Sequence, residues 1–297
     1  MANTSFIKRR MQVNLTLNSG EFEGGGNSKV VTDLAIKATI EKLGPPDFAK
    51  ASVEISGMSC SEIERLTTLN YIPMMTKRHY INIYAGDDNS GLSEVFAGSI
   101  VSASGDFSNP EVVFKIEAEV GFWGRVKPQG PSVINGPQGV DSFISSCASQ
   151  ADMTFTNEGV SAQLQEGDMF NGSPVEQARQ AANKVGADLL IDDDEMILIP
   201  KQGSRSGGSM FLLNRDSGLL GYPAISANGI ELKAIFNPAF RFAGLFELQS
   251  AVPKTSGVWR IVKLTHKLSA NDPKDTSWES QITGFYPAMS GAVGKFI

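Results

Sequence analysis

The chain is poor in the residues that usually do chemistry. It has 297 residues but only two cysteines and two histidines. Cys60 and Cys147 lie far apart in sequence, which fits a reducing cytoplasm better than a disulfide scaffold. Both read as small buried residues rather than nucleophiles. His79 and His266 form no His-Glu-x-x-His zinc pair, and no Gly-x-Ser-x-Gly elbow accompanies them. His266 precedes Asp272 and Asp275, yet a histidine at a strand end is read as packed or hydrogen-bonded before it is read as a triad member. No run of about 18 apolar residues occurs, so no membrane insertion is expected. Met1 to Arg10 lacks the apolar core of a signal peptide. Positive charge is not in excess: the formal net charge is -6. That excludes the broad class of basic nucleic-acid binders, although an acidic wall suits a channel past which DNA slides. Lys8-Arg9-Arg10 is too short for more than a solvated basic end. Gly24-Gly25-Gly26 has neither the Lys-Ser/Thr nor the helix of a phosphate loop. A lysozyme-like carboxylate pair stays open, because any two of 32 acidic residues can meet. No stretch resembles a lysozyme domain.

What is present is the pattern of a folded, strand-rich protein. Hydrophobic residues make up 41% and charged residues 20%, outside the range of disordered chains. The length allows two or three domains. Residues 218–286 carry the clearest signal. After a Gly/Pro-rich turn at Gly218 to Pro223, residues Ile230, Leu232, Ala234 and Phe236 alternate with Glu231 and Lys233. Period two is the mark of a half-buried strand. Phe240, Phe242, Phe246 and Leu248 continue it, then Val258 to His266, then Trp278 to Tyr286. Four strands joined by turns predict a small antiparallel sheet or barrel.

The order of residues here resembles baseplate hub proteins of contractile-tailed phages, which cap the tail tube and carry the central spike. The resemblance rests on Gly221-Tyr222-Pro223, Asn237-Pro238, Gly257-x-Trp259-Arg260-Ile261 followed by His266, and Trp278-Glu279-Ser280-x-Ile282-x-Gly284-Phe285-Tyr286.

Earlier segments fit the same outline. Met11 to Leu17, Leu34 to Ile40, Ala51 to Ile55, Tyr80 to Ala85, Val95 to Ser102 and Val112 to Val120 all alternate like strands. Glu21 to Ser28 reads as a mobile loop. Ser61-Glu62-Ile63-Glu64 has capping-box form ahead of a short helix carrying Ile63, Leu66 and Leu69. Residues 1–122 therefore predict a six- or seven-stranded barrel, similar to the first tube-like domain of the hub family. Residues 123–138, rich in Gly and Pro, read as a linker. Val140, Phe143, Ile144 and Cys147 predict one helix. Ser173-Pro174-Val175-Glu176 starts another, stopped at Gly186. A hairpin follows, with Leu189 to Ile191 and Met196 to Pro200 flanking Asp192-Asp193-Asp194-Glu195. That acidic run reads as a solvated turn, with cation binding left open. Residues 139–202 resemble the small α/β domain of hub proteins, 203–209 a second linker, and 210–297 a second barrel.

The expected fold is thus mainly β (α+β), with two tail-tube-like antiparallel β-barrels flanking a small α/β domain. The resemblance implies a non-enzymatic structural protein of the virion tail baseplate, assembled in the host cytoplasm. It implies a homotrimeric ring that joins a six-fold tail tube above to a three-fold central spike below. The lumen would pass the tape measure and then DNA, and baseplate wedge proteins are further expected partners. No catalytic residue, metal or cofactor is expected. Gly221 and Pro223 are expected to shape the turn into the last domain, and Pro238 and Gly257 to end strands. Trp259 and Trp278 are expected to pack the sheet or a subunit contact, and His266 to satisfy a backbone group. The alternatives are a cell-wall-degrading enzyme of the injection tip, or a carbohydrate-binding adhesin using Trp123, Trp259 and Trp278.

Overall fold

The computed structural model describes residues 8–23, 25–45, 47–67, 78–108, 110–206, 210–226 and 229–286. Leu69 of the expected first helix lies outside them.

The first part of the chain forms β1 (Arg9–Thr16), β2 (Ser28–Val31), β3 (Ala35–Leu43), β4 (Lys50–Ser56), α1 (Cys60–Leu66), β5 (Tyr80–Asp87), β6 (Gly91–Asp106) and β7 (Val113–Glu119). The alternating residues of each strand turn inward together. In β3 and β4, for example, Ile36, Ala38, Ile40, Ala51, Val53 and Ile55 are all buried. The cap of helix α1 lies two residues before the expected Ser61. Ser59 caps it and receives the amide of Glu62, whose carboxylate returns to the Ser59 amide. The loop between β1 and β2 is anchored by Phe22, which is buried in the first core.

The middle part begins at α2 (Phe122–Val126), so the stretch read as a linker opens with a helix carrying Trp123. Then come β8 (Ser132–Val133), β9 (Gln138–Gly139), α3 (Val140–Gln150), β10 (Thr154–Asn157), β11 (Gln163–Leu164), β12 (Met169–Phe170), α4 (Pro174–Lys184), β13 (Ala187–Asp192) and β14 (Glu195–Pro200). The short pairs β8–β12 and β9–β11 tie the same stretch to the α/β unit. Helix α4 has the expected capping box at Ser173 and Glu176, with Pro174 in its first turn. The strand order is β10-β14-β13. Hairpin β13–β14 is covered on both faces. Leu189, Met196 and Leu198 join the helix-packed core, while Leu190, Ile197 and Ile199 pack with Phe242 and Ala243. That two-sided burial explains the unbroken apolar run Met196 to Ile199.

The last part holds β15 (Phe211–Leu213), β16 (Leu219–Ser226), β17 (Gly229–Ile235), β18 (Leu245–Leu248), β19 (Gly257–Ala270) and β20 (Trp278–Phe285). Several expectations shift here. Gly221, Tyr222 and Pro223 lie not in a turn but in the irregular stretch of strand β16, between the paired residues Leu220 and Ala224. β16 is an edge strand, where a proline is tolerated because its missing N–H faces no ladder partner. Phe240 and Phe242 belong to turns, and only Leu245 to Leu248 is strand, paired in parallel with β15. Pro238 sits in a turn beyond β17, while Gly257 opens β19 rather than ending a strand.

The two β regions share one antiparallel-dominated sheet of 13 strands, whose main path is β16-β17-β20-β19-β3-β4-β7-β6-β5-β1-β2. They are spliced by β19 and β3, from Lys263 opposite Leu43 to Ala270 opposite Ile36. The splice extends into the interior: Phe236, Leu268, Ala270 and Trp278 pack in the first core with Met11, Ile36 and Val53. A third core gathers Leu213, Ile230, Phe246, Trp259 and Ile282.

Candidate functional site at the junction of the cores

Asp192-Asp193-Asp194-Glu195 is not a solvated turn. The tip of hairpin β13–β14 is driven into the seam where the α/β unit meets the large sheet. Lys42, at the end of β3, places its Nζ 2.7 Å from Asp192 Oδ1 and 3.1 Å from Asp193 Oδ2. Its side chain is only 8% exposed. Arg205 approaches from the other side, 2.7 Å from Asp192 Oδ2 and 3.1 Å from Glu195 Oε2. The Ala97 amide donates to Asp193 Oδ1 at 3.0 Å, and the Tyr80 hydroxyl donates to Asp194. One acidic hairpin thereby holds β3, β5, β6 and the segment after β14. Asp193 takes the left-handed conformation, φ 54°, which Asp tolerates in a two-residue turn.

The electrostatics follow from burial set against pairing. Burial alone opposes a charge on Asp192, but Lys42 and Arg205 overcome it and hold its pKa below the usual range. Asp193 is pushed up to about 6, by burial first and by neighbouring Asp192, against the pull of Lys42. Burial also works against the Lys42 charge, and the two aspartates more than offset it, so its pKa is raised. Tyr80 is raised by burial and by its bond to Asp194. A cavity of about 310 Å³ opens beside this cluster, lined in part by Lys42, Asp193, Arg205, Arg241 and His266. A larger groove of about 870 Å³ runs along the outer face of β16, β17, β20 and β19, past Gly221, Tyr222 and Lys233.

His266 lies in the middle of β19, not at its end. It is 2% exposed. Its Nδ1 meets the Ser280 hydroxyl at 2.8 Å, so its partner is a side chain on β20 rather than a backbone group. Its ring packs edge-on to Phe236. Burial, then the Lys42 charge, drive its pKa down to about 3, with Asp192 opposing. Ser280 is fully buried. Asp272 and Asp275 pair instead with Lys37, at 3.0 and 3.9 Å, and the triad geometry is not assembled. His79 accepts the Asn18 amide at 3.1 Å.

The tryptophans do not form a sugar-stacking face. Trp259 is buried in the third core, donates to the Thr255 carbonyl at 2.8 Å and stacks on Tyr286. Trp278 is buried in the first core against Phe236, with Arg9 over its ring. Arg10, in β1, pairs with Asp88 just beyond β5, so the basic end is tied to the neighbouring strand. Cys147 is buried, its thiol pushed up to about 12 by burial, whereas Cys60 is exposed, contrary to expectation. Among the described residues no group of three or more His, Cys, Asp or Glu is placed to hold a metal ion. No helix among them is long and apolar enough to cross a membrane.

The assembled picture is a structural joint with its polar groups committed to one another. A family model described as baseplate hub gp41 matches residues 10–276. The chain belongs to this baseplate hub family. No curated protein sequence matches the hub chain. Its fold is that of solved tail proteins. The 43 kDa tail protein of prophage MuSo2 from Shewanella oneidensis superposes with a TM-score of 0.60 at 9% identity, over 93% of this chain and 98% of that one. A tail protein from Neisseria meningitidis gives 0.60 at 9% identity, over 92% and 96%. The E. coli c3393 protein, described as a type VI secretion component similar to T4 tail proteins, gives 0.54 at 10% identity, over 97% and 76%. At these identities the likeness is one of fold.

The acidic run was visible in the sequence, but its partners were not. Lys42 and Arg205 lie 150 and 13 residues from Asp192, and neither carries a local motif. Lys42 closes an otherwise alternating strand, and a lysine on the apolar phase of β3 was the signal available.

Proposed function

We propose that this chain is the baseplate hub of a contractile phage tail, working as a trimeric adaptor ring. Each copy contributes two tube-like β units, residues 1–122 and 210–297, flanking an α/β unit at 139–202. Three copies present six β units to a six-fold tail tube and three-fold symmetry to a spike. Closed rings fix symmetry in this way. The lumen passes the tape measure and then DNA, wedge proteins contact the rim, and assembly takes place in the host cytoplasm before the hub enters the virion. The role is geometric, with no reaction catalysed.

The observation that carries this reading is the β3–β19 splice. It fixes both β regions of one subunit in a single register, as a rigid wall segment requires. The open edge at β16 supports it further. This strand has no charged side chain, and Leu220, Tyr222 and Ile225 are 40%, 77% and 63% exposed. An uncharged, uncovered edge is a hazard for a free protein and an asset for one that meets a neighbour. Pro223 and Gly221 would keep that edge from pairing indiscriminately, while Trp259, Trp278, Pro238, Gly257 and His266 hold the wall itself.

Light scattering on the purified chain, alone and with its spike, tests the assembly. The expected mass is three times 31.8 kDa for the chain alone, or that mass plus the spike's for the complex, in at least one of the two. A stable dimer in both overturns the reading. Hydrolysis of cell-wall polymer by the purified chain would instead favour an enzyme of the injection tip. Glycan binding lost on Tyr222→Ala would favour an adhesin.

A further inference from the structure

A second cluster lies apart from the acidic junction, where the β3–β4 loop meets α2 and α4. Three arginines and two phenylalanines alternate through space. The Arg78 guanidinium lies 4.4 Å from the Phe122 ring, and Arg125 lies 5.6 Å from the same ring. Arg125 is also 4.2 Å from the Phe48 ring, and Arg179 is 4.8 Å from it. Stacking on a ring face holds a guanidinium flat and keeps its edge free for bidentate bonds.

The cluster is short of direct ion pairs. Arg125 pairs with Glu119. Arg78 donates to the Val101 carbonyl at 2.6 Å. Among the described residues the Arg179 side chain has no hydrogen bond or ion pair, and the Nε atoms of all three arginines are buried without partners. The residues outside the described set include no Asp or Glu, so no acidic side chain there supplies the missing partner. Glu176, one turn before Arg179 on α4, is held by the Ser173 amide at 2.8 Å. Burial, then the charge of Arg125, lowers the pKa of Arg179, with Glu176 and Asp47 opposing through space without an ion pair. Three guanidiniums with one direct carboxylate partner between them, half-buried and layered on rings, match planar anions. The chain's net charge of -6 and the single small cluster disfavour a nucleic-acid track, which needs a continuous basic stripe.

We propose that Arg78, Arg125 and Arg179, stacked on Phe48 and Phe122, form a docking site for a carboxylate-bearing peptide segment of a partner protein. Its occupant would complete the ion pairs that the chain leaves open and would brace the α/β unit against the first β region. The site does not depend on ring formation, and its test uses the isolated full-length chain.

The probe is a hexaglutamate peptide, titrated calorimetrically beside inorganic phosphate and a short DNA duplex. The expected result is saturable peptide binding, weakened about tenfold by Arg179→Gln and unchanged by Lys254→Gln on a distant turn. Arg179→Lys should recover part of it, since charge returns without the planar fork. Without peptide, Arg179→Gln should melt at or above the parent temperature, because it removes a desolvated cation facing another. Peptide affinity unchanged in Arg179→Gln would overturn the proposal. So would tighter binding of the duplex than of the peptide. A melting temperature several degrees lower in Arg179→Gln would show instead that the arginine serves only internal packing.

Discussion

Lys42 is the residue whose removal should be felt most. It is nearly fully buried and holds two aspartates. Removing one partner of a buried ion pair leaves an uncompensated charge and costs about 3–5 kcal/mol. Lys42→Met should therefore lower unfolding free energy by that order in a denaturant titration. A loss below about 1 kcal/mol would be the behaviour of a solvated surface pair and would contradict the buried junction. His266 makes a pH prediction. Its folded pKa, about 3, lies below the ordinary histidine value of 6.5. Between those values the unfolded chain binds more protons, so stability falls as pH drops from 6.5 towards 3. Asp193, raised to about 6 from 3.8, acts in the opposite sense over pH 4 to 6, so the comparison must be with a variant. His266→Gln should flatten the slope by an amount on the order of a few kcal/mol across the window. An unchanged slope would mean that the histidine is already solvated. At this scale the sequence told identity but not company. Trp259, Trp278 and His266 were legible as packed residues, yet the Ser280 partner of His266 comes from the neighbouring strand and no local pattern marks it.

Elements with local causes were the legible ones. The capping box at Ser173 and the proline after it set the start of α4 within one turn, so the helix could be read directly. Ser173→Ala should cost about 1 kcal/mol, measured by thermal or chemical unfolding. Residues 9–16, 35–43 and 50–56 were equally plain, because one face is buried and the side chains alternate. The failures share a physical reason. The Gly-Tyr-Pro stretch looked like a turn because glycine and proline interrupt ladders, but an edge strand absorbs both in a bulge. Phe240 and Phe242 looked like strand because they alternate, but they plug two different cores from a turn. The β3–β19 splice joins residues more than 200 positions apart, and strand pairing at that distance leaves no local trace. It yields a prediction at the same scale. Trp278 reports the first core and Trp259 the third. Because β19 and β20 feed both, single-tryptophan variants retaining one or the other should unfold with coincident midpoints. Separate transitions would mean that the two β regions are independent units.

As a whole, the molecule is a continuous sheet that carries an α/β unit pinned through one acidic hairpin. Residues 10–276 match the baseplate hub family, and tail proteins of about 9% identity share the fold. Such low identity with a common architecture is what geometric work permits. Many sequences bury the same alternating positions, so one fold accommodates widely different sequences. This explains why mainly β architecture was readable from composition and period, while the continuity between the two β regions was not. It also explains why chemistry-bearing motifs are scarce. The chain has two histidines and two cysteines, few enough for the proposed adaptor role. The measurement that bears most directly on the adaptor role is end-on electron imaging of the assembled chain, with its spike if needed. A three-fold ring with a lumen wide enough for duplex DNA is the expected result. A closed particle without a lumen, or two-fold symmetry, would contradict it.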